Sequence, residues 1–150
     1  MLTALKRFLA GFVSTLAFHQ TAVAALWAAG VIPRTPFSMA PVPPLGVPQV
    51  VSIAFWGGVW GIFLVGLASR LPRRWRWPIA LAVGASATTL VAWYVVAPLK
   101  GRPAPGGPGA FGIGLFINGM WALGTLLMAR LLEHDPSARL PGASASAQRP

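Results

Sequence analysis

The chain has 150 residues, of which 55% are hydrophobic and only 9% charged, with a formal net charge of +10. A soluble domain of this length carries about a quarter charged residues, so a water-facing surface cannot be built from this composition. The chain contains no cysteine, which excludes disulfides, thiol catalysis and thiolate metal sites.

The apolar residues fall into four blocks, 8–30, 50–69, 79–97 and 110–132, free of Asp, Glu and Lys and holding one Arg, Arg130. Each is close to the roughly 20 residues that cross a hydrocarbon core about 30 Å thick. The short alternating strands of a membrane β-barrel are absent, and four soluble helices apolar on all sides would leave nothing to face water. The blocks predict four transmembrane helices.

The first block opens after Lys6 and Arg7 and contains Ala22-Val23-Ala24, a pattern shared with cleaved secretory signals. The apolar run continues through Trp27 to Ile32 rather than ending in a polar stretch, which favours an uncleaved first span; three spans after cleavage near Ala24 is the alternative. Inside the block stand His19 and Gln20. With a rise of about 1.5 Å per residue, His19 lies roughly 16 Å from Phe8, near the bilayer centre. Gly11, Thr15, Ala22 and Ala29 recur at helical spacing beside it, while Gln20 points about 100° away.

Residues 32–49 carry six prolines. Proline lacks an N–H and fixes φ, so neither helix nor sheet is expected there. The segment reads as a semi-rigid cap outside the hydrocarbon, packed by Phe37, Met39 and Leu45. In the second block Ala54, Gly57, Gly58, Gly61, Val65 and Ala68 share one face, opposite Trp56, Trp60, Phe63 and Leu67. Small residues let membrane helices approach closely, so Ala54, Gly57, Gly58 and Gly61 mark a packing seam, with Gly114 its counterpart in the fourth block.

The turn 70–77, RLPRRWRW, holds Arg70, Arg73, Arg74 and Arg76 beside Trp75 and Trp77. It suits contact with lipid headgroups. The third block is small on most sides, with Ala82, Ala85, Ser86 and Thr89 on one face, and the connector 98–109 is glycine- and proline-rich. The fourth block carries Gly114, Asn118, Ala122, Thr125 and Ala129 as a stripe. Beyond Leu132 the chain turns polar and low in complexity, and Glu133 and Asp135 there are the only acidic residues.

Nine of the twelve Lys and Arg lie on one side of these spans: Lys6, Arg7, Arg70, Arg73, Arg74, Arg76, Arg130, Arg139 and Arg149. Only Arg34, Lys100 and Arg102 lie on the other. The positive-inside rule then puts both termini in the cytoplasm. The same distribution makes the charge a topology signal rather than a nucleic-acid surface.

By helical rise, Ser86, Thr89 and Asn118 reach the depth of His19, which allows a midplane polar layer of His19, Asn118 and a hydroxyl from the third span. An ionisable residue at midplane is a functional candidate by default. His19 has no membrane carboxylate to share a proton relay with, and the other histidine, His134, falls in the tail, so neither a metal site nor paired haem ligation is supported. A hydrogen bond that holds helices in register is the favoured role for His19, and more so for Gln20 and Asn118. Carboxylate pairs for acid–base work are missing, as is any Ser/His/Asp set at one depth; no catalytic residue, metal or cofactor is assigned.

The sequence therefore predicts an all-α membrane protein. It would be a four-transmembrane-helix bundle with both termini cytoplasmic, forming one domain over 1–132 with a disordered cytoplasmic tail over 133–150. High Ala, Gly, Pro and Arg with only two Lys points to a GC-rich bacterial genome and so to the cell inner membrane. The expected role is a non-catalytic interaction or accessory subunit of a homo-oligomer or larger membrane complex. The alternative is an oligomeric channel or permease for a small neutral or anionic solute, lined by His19 and Asn118.

Overall fold

The computed structural model describes residues 2–99, 101, 103 and 106–133. Among these residues four helices are long and apolar enough to cross a membrane: α1 (Leu2–Ala28), α2 (Gln49–Arg70), α3 (Arg76–Leu99) and α4 (Gly107–Glu133). They overrun the expected blocks at every end but one. The flanking Lys6, Arg7, Arg70, Arg76 and Arg130 all lie within helices, since Lys and Arg are themselves good helix formers. Glu133 is likewise the last residue of α4 rather than the first of a tail. The expected tail from 134 onward, with His134, lies outside the described residues.

The exception is the end of α1, which closes two residues early. Gly30, at φ +69, takes the left-handed conformation that a glycine adopts without strain. Its N–H donates to Trp27 O at 3.0 Å and the N–H of Val31 to Leu26 O at 2.9 Å, the paired bonds of a Schellman stop.

Two helices contain a wide π turn. In α1 it covers Thr15–His19, with the Gln20 N–H donating to Thr15 O. In α3 it covers Ala92–Val96, with the Ala97 N–H donating to Ala92 O. The second follows from Pro98, which has no N–H for the carbonyl four residues earlier and would clash with it. The first adds one residue to the helix phase, so Gln20, not His19, follows Thr15 on the inward face. Gln20 is only 4% exposed, whereas His19 is half-buried on the flank.

The proline-rich connector departs from expectation in forming a small sheet. β1 (Pro41–Val42) pairs antiparallel with β2 (Val47–Pro48), in register Pro41 to Pro48 and Val42 to Val47. The valines carry the N–H groups that the prolines lack, and Gly46 at φ +66 turns the chain, its N–H donating to Val42 O at 2.9 Å. Phe37, Met39 and Leu45 are exposed and do not pack the cap; Val42 and Val50 are buried instead.

Among the described residues the buried apolar side chains form three clusters, and α4 contributes to each. Leu64 and Ala68 of α2 and Ala80 of α3 meet Trp121, Ala122 and Leu126 of α4. Ala10 of α1 and Val65 of α2 meet Ala129, and Ala22 and Val23 of α1 meet Ile117. In α1, α2 and α4 the most apolar window is 33–39% buried, against 17% in α3.

Candidate functional site

The expected seam on α2 meets α1. A Cβ added at Gly61 would lie 2.7 Å from Arg7 O and 2.8 Å from Gly11 Cα, and one at Gly58 would lie 2.5 Å from the Phe8 ring. One at Gly57 would collide with Thr15 Oγ1, and one at Gly11 with Gly57 O. Ala54 is fully buried on the same face. On α4, a Cβ at Gly114 would lie 2.8 Å from Thr89 Cγ2, so that glycine serves the contact with α3.

Trp121 is the link that sequence reasoning missed. Its indole N–H donates to Gly11 O at 3.1 Å, and its own carbonyl accepts from Ser14 Oγ at 2.7 Å and Thr125 Oγ1 at 2.8 Å. α1 and α4 are therefore tied by reciprocal hydrogen bonds. The signal was present, since Trp121 falls three residues beyond Asn118 and four before Thr125. A tryptophan among small residues reads as bulk, not as a donor.

The structure brings two members of the expected polar layer together. Asn118 Nδ2 donates to Thr89 Oγ1 at 2.9 Å, and that hydroxyl donates in turn to Ala85 O at 2.7 Å. Ser86 bonds its own helix, donating to Ala82 O at 2.6 Å. His19 and Gln20 are placed elsewhere, in a cleft beneath the proline-rich connector.

That cleft is lined largely by polar side chains. His19, Gln20 and Val23 of α1 form one wall, Arg34, Thr35 and Ser38 of the connector another, and Gln49, Val50 and Ile53 of α2 the third. Gln20 Oε1 accepts the N–H of Phe37 at 2.8 Å, pinning the connector over the cleft. Phe37 stands at φ +49, a left-handed conformation that costs a bulky side chain about 1–2 kcal/mol. Such strain persists where surrounding contacts hold it. His19 Nδ1 is buried with no hydrogen-bond partner among the described residues. The cavity of about 10 Å³ is the size of a single water. Its lining can surround a small polar guest with N–H and O–H groups, and no carboxylate lies among these residues.

Arg70, Arg73, Arg74 and Arg76 are all exposed at the end of α2, in the turn and at the start of α3. Trp75 is half exposed, while Trp77 packs against the Leu64–Ala80 cluster. Among the described residues no three His, Cys, Asp or Glu side chains come together. No family model matches the chain, and neither the curated proteins nor the solved structures contain a match to it.

Proposed function

We propose that the protein is a multi-pass inner-membrane protein that works without catalysis, as an interaction or accessory subunit docking through α3. The observation that carries this reading is the contrast in burial: α3 buries 17% of its most apolar window within the chain, about half the share of the other three. Its outward side presents Ile79, Ala82 and Leu90, all exposed, next to Ser86. A small residue on an outward face leaves room for another helix to approach closely, and packing of that kind drives association in membranes.

The test is Ala82→Trp in the full chain, examined by native mass spectrometry after gentle-detergent extraction and by cross-linking in the membrane. The expected result is loss of self-association or of a co-purifying partner at unchanged helical content. A variant that assembles as the parent does would overturn the reading.

The cleft supports a second reading, an oligomeric channel or permease for a small neutral or anionic solute. Its basis is the unpartnered His19 Nδ1 among N–H and O–H donors. His19→Leu in an intact assembly would abolish solute flux in proteoliposomes, and unchanged flux would remove this alternative.

A further inference from the structure

A groove of about 260 Å³ runs between α2 and α3. Leu64, Gly84 and Trp121 form its buried floor, with Trp60, Phe63, Leu67 and Val83 along its sides. The indole N–H of Trp121 is held by Gly11 O, so the ring offers no donor to the groove. From Trp60 to Leu67 the groove follows α2 for roughly 10 Å at the helical rise. An apolar groove of this length can take an extended stretch of hydrocarbon chain. Its volume falls just under the range of about 300–1,000 Å³ typical of drug-like ligand sites.

The groove leads toward the turn that joins the same two helices. Arg70 follows Leu67 by three residues, and Arg76 precedes Val83 by seven, or roughly 4 and 10 Å of helix. Arg70, Arg73, Arg74 and Arg76 are exposed there. The sequence has no acidic residue before Glu133, so nothing within α2, α3 or their turn neutralises these charges. Trp75 is half exposed between them, and tryptophan settles at the headgroup level of a bilayer. An apolar slot that leads toward a turn with four exposed arginines complements an amphiphile with one hydrocarbon arm and a negative head.

We propose that the α2–α3 groove and the arginine turn together bind one anionic phospholipid, its acyl chain in the groove and its phosphate at the turn. The site rests on the membrane reading but not on the docking role of α3. Ala82, which tests that role, does not line the groove, so the two fail separately.

The experiment is native mass spectrometry of the full chain in nonionic detergent with equal amounts of phosphatidylglycerol and phosphatidylcholine carrying the same acyl chains. The parent should retain phosphatidylglycerol in excess. Arg73→Gln with Arg74→Gln should lower that preference about fivefold per arginine removed, the effect of one basic charge near an anionic headgroup. Val83→Trp, which fills the slot from an exposed side, should reduce retention of both lipids, with Leu67→Trp in its place if helical content falls. Equal retention of the two lipids by the parent would overturn the proposal. So would a preference that survives loss of both arginines, retention unaffected by filling the groove, or displacement of the lipid by excess inorganic phosphate, since a free anion would then suffice.

Discussion

An added Cβ at Gly11 has backbone atoms of α2 directly in its way, and Gly11→Ala is the sharpest test of the packing described here. The added methyl would collide with Gly57 O and lie 2.9 Å from Gly61 Cα. Both are backbone atoms, so no rotamer change can make room and α1 and α2 must separate. Forcing extra volume into a packed interface costs about 1–3 kcal/mol. Replacing glycine by alanine within a helix returns about 0.5–1 kcal/mol. The net loss then lies within about 0–2.5 kcal/mol and centres on about 1.2 kcal/mol, a factor of roughly eight in the folding equilibrium. Gly112→Ala is the internal control: it lies in α4 with nothing within 4 Å of an added Cβ, so only the gain applies. The assay is reversible unfolding in mixed micelles of mild detergent and dodecyl sulfate, followed by circular dichroism. Gly11→Ala should unfold at a lower dodecyl sulfate fraction than the parent and Gly112→Ala at an equal or higher one. If the two variants shift together, the close approach of α1 and α2 is not what holds them.

Three further substitutions separate the hydrogen bonds from the packing. Thr89→Val keeps the shape of the side chain but removes the acceptor of Asn118 Nδ2, and should cost about 0.6–1.7 kcal/mol in the same unfolding assay. Trp121→Phe keeps an aromatic ring while losing the bond to Gly11 O. The loss should sit near the lower end of about 0.5–1.5 kcal/mol, because Thr15 Oγ1 still donates to that carbonyl at 2.9 Å. Gln20→Leu should release the connector and leave the helices alone. Hydrogen exchange at the Phe37 amide should accelerate roughly fivefold, the worth of one hydrogen bond, with α2 and α4 amides unchanged.

The four helices were legible because hydropathy over some twenty residues is a strong signal that no local detail overrides. The α2 seam was legible for a related reason: Ala54, Gly58 and Gly61 recur at helical spacing, and only small residues permit the contact that α1 makes there. The surroundings of His19 were not legible. Counting at a constant 3.6 residues per turn places His19 on the Gly11–Thr15 face, but the π turn over Thr15–His19 shifts every later residue and brings Gln20 inward. Nothing in Thr15–His19 announces that turn, whereas the one before Pro98 has a covalent cause. The hairpin in the connector was hidden by its prolines, since the two valines that pair with each other look incidental among them. Gln20 could not be matched with Phe37 from sequence either, because the bond joins a side chain to a backbone N–H and leaves no trace in residue type.

These contacts divide the chain unequally. α1 and α2 meet backbone to backbone at Gly11, Gly57 and Gly61, whereas α3 packs mainly through side chains, with Ala80 in the Leu64–Trp121 cluster, Gly84 against Ala122, and Thr89 against Gly114 and Asn118. The approach of α1 to α2 is therefore the contact with the least room to adjust. Substitutions on the seam of α1 should act on stability whatever the protein contacts. α3 buries 17% of its most apolar window and keeps most of its apolar surface outward. Changes on its outer face have few internal contacts to disturb. Stability and association should accordingly respond to different residues, Gly11 and Trp121 on one hand and Ala82 on the other. A chain in which Ala82→Trp lowered stability as much as Gly11→Ala would contradict that division.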